Sequence, residues 1–119
     1  MEFSIKKGET FARKVKIRAV GSNEGIKPDE IKSLFITVRE QPYEHYPIII
    51  QKSKEDIIID EEGFCHFVFS GDETEKLKYG KYYFDISITL NNNFRKIRFY
   101  ELEITQKTTF YNGGDVSDN

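Results

Sequence analysis

The sequence predicts an all-β domain built as an antiparallel sandwich of seven or eight strands. The first observation is compositional, because Phe and Tyr number 10 and 7 and Ile is the commonest apolar residue. Such side chains fit a pleated surface, whereas the helix formers Ala and Leu are scarce. The second observation is the segment 77–90, where Leu77 and Gly80 precede Tyr82 and a strict apolar–polar alternation. A Leu, a Gly and a Tyr that opens a long amphipathic strand are typical of the penultimate strand of an immunoglobulin-like sandwich.

The alternation places the strands along the chain. They are predicted at residues 3–5, 11–20, 34–39, 48–50, 57–59, 64–69, 82–90 and 95–106. One short helical turn is expected between the strands 64–69 and 82–90, and another at 28–30, where Pro28 can open a helix. Asp60-Glu61-Glu62-Gly63 predicts a hairpin turn with a positive φ at Gly63, and Asn91-Asn92-Asn93 predicts a second hairpin. In the last strand the apolar parity changes near Phe99, which predicts a β-bulge.

Length and charge limit the organisation of the chain. With 119 residues it can enclose one core, so residues 1–110 are predicted to be a single domain. Residues 111–119 are rich in Gly, Asp and Asn and are predicted to be a flexible tail. The net charge of −2 gives no global attraction to nucleic acid or acidic membranes. The single Cys rules out an intrachain disulfide framework, and neither a signal peptide nor a membrane-spanning segment is expected.

Residues with reactive side chains do not form a recognisable catalytic pattern. Cys65 alternates with Phe67 and Phe69 on one strand face, so it is predicted to be a small core residue and not a nucleophile. His45 and His66 match no metal-ligand spacing. The acidic clusters 60–62 and 72–75 offer oxygen ligands for calcium, but they coincide with turns and lack the EF-hand pattern. The sequence therefore predicts no enzyme, no cofactor, no metal and no small-molecule substrate.

Basic side chains follow two of the predicted strands. The predicted basic stripe consists of Lys14, Lys16, Arg18, Lys96 and Arg98. In a sandwich the two strands could lie side by side, with Phe94 and Tyr100 available to stack on bases. Lysine on an outer strand is also a common defence against edge-to-edge pairing. Nucleic-acid binding is therefore an alternative that the sequence leaves open without favouring it.

Three segments are candidate contact elements for other proteins. The loop 43–47 combines aromatic residues with a Pro, and aromatic residues are enriched at interfaces. The alternative is that its two Tyr rings cover the end of the core. The other two segments are the hairpin 91–94 and the tail 111–119. The predicted interface residues are Tyr43, His45, Tyr46, Asn92, Asn93, Phe94 and Tyr111.

The order of the turn signals resembles small immunoglobulin-like proteins of phage and prophage structural modules, including the N-terminal domain of baseplate upper proteins. The resemblance covers residues 6–106. It rests on Gly8-Glu9-Thr10, on Asp60-Glu61-Glu62-Gly63 and on the run from Glu73-Thr74 through Leu77 to Gly80-Lys81-Tyr82. One departure is Asn91-Asn92-Asn93, where such proteins often carry a Gly before a Val-rich strand.

Proteins of this kind are not enzymes. The resemblance implies a structural or adaptor subunit of a tailed-phage virion, located in the tail, baseplate, neck or head surface. Its partners would be other virion proteins and copies of itself, in the virion and, during assembly, in the host cytoplasm. The main alternative is a carbohydrate- or cell-surface-binding module, for which Tyr43, Tyr46, Tyr79 and Tyr83 could supply stacking platforms.

Overall fold

The computed structural model describes residues 2–18 and 25–106, which form a β-sandwich of eight strands in two sheets. The strands are β1 (Glu2–Lys6), β2 (Phe11–Lys16), β3 (Ile31–Arg39), β4 (Ile50–Ser53), β5 (Ile58–Ile59), β6 (Phe64–Phe69), β7 (Gly80–Leu90) and β8 (Arg95–Thr105). One sheet has the order β1-β8-β7-β3-β4, and the other has the order β2-β6-β5. The predicted all-β sandwich is thereby confirmed. The predicted tail 111–119, including Tyr111, lies outside the described residues.

β3 begins at Ile31, before the predicted residue 34, and two other predicted strands also differ in their bounds. Of residues 48–50 only Ile50 belongs to a strand, because pairing with β3 starts with Ile50 opposite Val38. Ile48 and Ile49 precede that strand and are exposed, so the prediction of a strand there is wrong for these two residues. The strand expected at 11–20 ends at Lys16, and residues 19 and 20 lie outside the described part of the chain.

One strand pair is parallel, which the sequence did not predict. In β1, Phe3 lies opposite Leu102 and Ile5 opposite Ile104, whereas every other pair of these strands is antiparallel. Between β1 and β2 the chain turns at Gly8, with a φ of 85°, and crosses from one sheet to the other. No hairpin therefore fixes the direction of β1.

The predicted bulge near Phe99 is wrong. β8 pairs with β7 without interruption, from Gly80 opposite Ile104 to Thr89 opposite Arg95. The residues of β8 that face the other sheet are Lys96, Arg98, Tyr100, Leu102 and Ile104. The change of apolar parity arises because Ile97 and Phe99 are apolar residues on the outer face.

The core lies between the sheets and is built around aromatic rings. Phe84 of β7 is at its centre, and its ring centroid lies within 6.0 Å of five others. These rings belong to Phe3, Phe11, Phe67, Phe69 and Tyr100. Burial of these rings, together with the aliphatic residues of the core, stabilises the packing of the two sheets.

The predicted helical turn before β7 is a short helix, α1 (Gly71–Glu75). Ser70 caps it, because its hydroxyl accepts a hydrogen bond from the Glu73 N–H while the Glu73 carboxylate accepts one from the Ser70 N–H. After α1, the Tyr82 hydroxyl accepts a hydrogen bond of 2.8 Å from the Lys78 N–H. This bond resembles the tyrosine corner of immunoglobulin-like sandwiches and holds the connection against the start of β7.

Candidate functional site

The outer face of the five-stranded sheet carries exposed apolar side chains. Phe35 in β3 and Ile97 and Phe99 in β8 are 39%, 44% and 51% exposed. Ser87 lies opposite both Phe35 and Ile97, so these two side chains flank it in one row across the sheet. Phe99 stands in the next row, opposite Asp85. Phe35, Ile97 and Phe99 are called the apolar sheet face below.

Arg39 holds the following loop against this face. Its Nη1 lies 3.1 Å from Oδ2 of Asp85, and its Nε donates a hydrogen bond of 3.1 Å to the Tyr46 carbonyl. Burial raises the pKa of Asp85 despite the opposing effect of Arg39, and the charge of Glu44 raises it further. Through Arg39 the ion pair orders the loop. Its free-energy cost is that the Asp85 carboxylate stays charged in a partly desolvated position.

The predicted loop residues form an aromatic cluster beside the apolar sheet face. The ring centroids of Tyr43 and His45 are 5.9 Å apart, and those of His45 and Tyr46 are 4.8 Å apart. Neither Tyr belongs to the buried core, so the alternative that both rings cover its end is not supported. Pro42 and Glu44 of the same loop line a concavity of about 200 Å³ together with all three residues of the apolar sheet face.

The predicted hairpin stands at the other end of that concavity. Arg95, which directly follows the hairpin, lines it. Asn93 has a positive φ of 69°, which Asn tolerates. Its side-chain oxygen accepts a hydrogen bond from Lys32, and that of Asn92 accepts one from the Phe94 N–H. Phe94 is exposed. The loop and the hairpin therefore border one surface, which sequence reasoning did not connect.

All residues of the predicted basic stripe line one groove between β2 and β8, called the basic groove below. Its volume is about 350 Å³, and it is lined by Phe3, Lys14, Val15, Lys16, Arg18, Lys96, Arg98 and Tyr100. No acidic side chain lines it. Within residues 2–18 and 25–106, none of its five cationic side chains lies at ion-pair distance from a carboxylate. The groove therefore concentrates unneutralised positive charge on a slightly acidic protein.

The stacking platforms expected beside the basic stripe are absent from the groove. Tyr100 is only 4% exposed and stacks on Phe84, with 5.0 Å between the ring centroids, so it forms the floor of the groove. Phe94 belongs to the hairpin and does not line the groove. The prediction that Tyr100 is available to bases is wrong because the even-numbered residues of β8 face the other sheet.

The Tyr side chains proposed as carbohydrate platforms lie in three different elements. Tyr43 and Tyr46 lie in the loop, and Tyr83 is half-buried on β7. Tyr79 is exposed before β7, with the Lys7 ammonium group 5.4 Å from its ring centroid.

The acidic cluster 60–62 has a local role in the hairpin between β5 and β6. One carboxylate oxygen of Asp60 accepts hydrogen bonds from the N–H groups of Glu62 and Phe64, and the other lies 2.8 Å from His66 Nε2. The hydrogen bond with His66, followed by that with Phe64, lowers the pKa of Asp60. In the described part of the chain, no three His, Cys, Asp or Glu side chains are grouped as metal ligands would be.

Cys65 is buried on the core face of β6, where it was predicted to be a small core residue. Burial raises the pKa of its thiol from 9.0 to about 12. Three pKa units reduce the reactive thiolate roughly a thousandfold. A thiolate of higher pKa is more nucleophilic, which offsets part of this reduction, whereas burial also keeps the reagent from the sulfur. We therefore expect Cys65 to react with a disulfide reagent at pH 8 at least about tenfold more slowly in the native protein than in the denatured protein.

The control for this reaction is a Cys65→Ala/Ser4→Cys variant, since Ser4 is exposed on β1. Its thiol should react rapidly in the native state. Rapid labelling of native Cys65, measured as thiol release over time, would contradict the buried position.

No family model and no curated protein sequence matches the chain. Among solved structures it is similar to CopC from Methylosinus trichosporium OB3b, with a TM-score of 0.53 and 10% identity over 92% of this chain and 89% of that chain. It is also similar to OgpA from Akkermansia muciniphila, with a TM-score of 0.47 and 17% identity over 86% of this chain and 29% of that chain. At such identity the likeness to CopC establishes the sandwich fold alone, and the likeness to OgpA is too low to support an argument.

α1, the longest helix in the described ranges, has 5 residues, whereas a membrane-spanning helix needs about 20.

Proposed function

We propose that this chain is a non-enzymatic structural or adaptor subunit of a tailed-phage or prophage virion. It docks to other virion proteins and to copies of itself. The observation that carries the docking role is the apolar sheet face, because it gathers three exposed apolar side chains in one concavity, and clustered exposed apolar side chains mark protein interaction sites. The virion assignment is supported by the sequence resemblance of residues 6–106.

The surroundings of the apolar sheet face suit a protein interface. Its apolar side chains stand on β3 and β8, on either side of the central strand β7, so little conformational entropy would be lost on docking. Ser87 and Asp85 of β7 lie between the apolar residues of the two flanking strands, and Gln51 and Arg95 line the same concavity. Interfaces between proteins that also exist apart are about as polar as the rest of the surface, so a mixed surface of this kind is suited to docking. Tyr43 adds an exposed aromatic ring of the kind that often dominates binding energy.

The variant Phe35→Thr/Phe99→Thr tests the docking surface. We expect it to weaken assembly at least about tenfold, because aromatic anchors carry most of the energy of an interface. Its melting temperature should stay close to that of the wild type, since both rings are exposed and Thr suits a strand. Assembly is measured as incorporation into purified particles and as self-association by size exclusion with light scattering.

A matched control exists on the other sheet. Ile58 and Val68 are 71% and 48% exposed on β5 and β6. The variant Ile58→Thr/Val68→Thr likewise replaces two exposed apolar strand residues with Thr, and we expect it to assemble normally. Equal behaviour of the two double variants would contradict a docking role for the apolar sheet face.

The virion assignment has its own test, mass spectrometry of gradient-purified particles from the producing strain. We expect the chain to sediment with the particles in a fixed ratio to their other proteins. Its absence from the particles would overturn the virion assignment. Binding of the isolated domain on a glycan array, lost on Tyr43→Ala/Tyr46→Ala, would then favour the carbohydrate-binding alternative.

A further inference from the structure

The basic groove lies beside a sheet edge without a partner strand. β1 pairs only with residues 101–105 of β8. On the side of β8 that faces away from β7, residues 95–100 therefore have no neighbouring strand within the described chain. Such an edge is a template for another strand.

The backbone groups at this edge are oriented for pairing. The Leu90 N–H donates a hydrogen bond of 2.9 Å to the Phe94 carbonyl, so the even-numbered residues of β8 are those bonded to β7. The peptide groups of the odd-numbered residues, including Ile97 and Phe99, therefore point to the open edge. The Lys7 N–H bonds the Thr105 carbonyl at 3.0 Å on that same side, which agrees with this alternation.

The positive charges near the open edge of β8 determine which kind of strand can pair with it. Lys96 and Arg98 point inward from the edge strand into the basic groove. Inward-pointing charges oppose pairing with an uncharged strand, because pairing would desolvate them. A second copy of β8 would bring the same positive charges together and would be repelled. A strand with carboxylates at the positions that face Lys96 and Arg98 would be attracted to the edge, because each positive charge then gains a negative partner.

We propose that the open edge of β8 and the basic groove bind an extended acidic segment of another protein, which adds as a strand beside residues 95–99. Side chains alternate between the two faces of such a strand. Those that face the groove are Asp or Glu and meet the five cationic side chains that line it. Those on the other face are apolar and extend the surface of Ile97 and Phe99. This mode of recognition combines backbone hydrogen bonds for affinity with side-chain pockets for specificity.

A nucleic acid fits the site less well than a peptide. Two aromatic residues line the groove: Tyr100 is buried and Phe3 is packed against the core, with the Arg13 guanidinium 5.6 Å from its ring centroid, so little aromatic surface is available for base stacking. The alternating N–H and C=O groups of the edge match another peptide backbone, whereas phosphate oxygens accept hydrogen bonds from N–H groups but donate none to the C=O groups. The site adjoins the apolar sheet face and shares Ile97 and Phe99 with it, whereas Lys96 and Arg98 belong to the groove alone.

The test uses a seven-residue peptide of alternating Glu and Val with blocked ends, titrated into the full chain at low salt. We expect binding that weakens at least about tenfold in Lys96→Glu/Arg98→Glu and falls as salt is added. The matched control is Lys76→Glu/Lys78→Glu, which changes the net charge equally at exposed positions between α1 and β7. The control variant should bind the peptide like the wild type.

Three results would overturn the proposal. If a peptide with the same side chains but N-methylated at alternate residues bound equally well, the attraction would be electrostatic without strand addition. If a single-stranded oligonucleotide bound more tightly than the peptide and lost affinity in Lys96→Glu/Arg98→Glu, the groove would be a nucleic-acid site. If neither ligand bound, the charges would serve only to protect the edge.

Discussion

Replacing Phe84 with Ala is expected to lower the free energy of unfolding by about 3–5 kcal/mol. Phe84 is 1% exposed and its ring contacts five other rings from both sheets. Its removal leaves a cavity that these rings fill only in part, because they are fixed by their own strands. Since a domain of this size is stable by about 5–15 kcal/mol, this is the largest effect expected from a single apolar truncation.

Urea denaturation followed by far-ultraviolet circular dichroism measures this loss. The control is Phe99→Ala, the same substitution at a half-exposed position on β8, for which we expect a change within about 0.5 kcal/mol. Should Phe84→Ala fail to fold, Phe84→Leu provides the test, with a smaller loss of the same sign. A loss below about 1 kcal/mol for Phe84→Ala would mean that the sheets do not pack around this ring.

Replacing Gly63 with Ala is expected to cost roughly 2–5 kcal/mol of stability. Gly63 has a φ of +87°, which is unfavourable for a residue with a Cβ. An added Cβ would also stand 2.4 Å from the Gly25 Cα, a backbone atom that cannot move as a side chain would. The hairpin between β5 and β6 therefore depends on glycine for its conformation and for its close approach to residue 25.

Gly80→Ala separates these two contributions. Gly80 also has a positive φ, +125°, but a Cβ there meets no atom within 4 Å. We expect it to lose about 1–3 kcal/mol from backbone strain alone. Thermal unfolding of both variants by calorimetry gives the difference, which measures the contact with Gly25. Equal losses of stability in Gly63→Ala and Gly80→Ala would indicate that the backbone at Gly25 moves away from an added Cβ at little cost.

Features with local causes could be predicted from the sequence. The alternation of residues 82–90 specifies a strand, and Gly63 and Asn93 have the positive φ that their turns require. One error arose where the apolar pattern assigns residues to a face of the strand. A bulge near Phe99 would place Ile97 and Phe99 on the inner face because they are apolar, yet the uninterrupted register with β7 places them outside.

The basic groove and the apolar sheet face depend on long-range pairing. The sequence indicated that Lys14, Lys16, Lys96 and Arg98 occupy two strands, but only the packing of the two sheets brings these strands to one groove. In β3, Phe35 lies on the face that otherwise carries polar side chains. This position was a signal in the sequence for an exposed apolar residue on the outer face. The parallel direction of β1 had no such signal, because no turn connects it to β8.

The pairing of Glu2 with Glu101 has a consequence for biosynthesis. Its two strands are the first and the last of the described chain, so this part of the sheet closes only after β8 has been synthesised. Until then Phe3 and Ile5 remain in water beside a nascent polypeptide, at the stage when chaperones bind apolar segments. Pairing β1 with β8 closes a long loop of the chain and therefore costs much conformational entropy. This cost makes the docking of β1 a late event in folding.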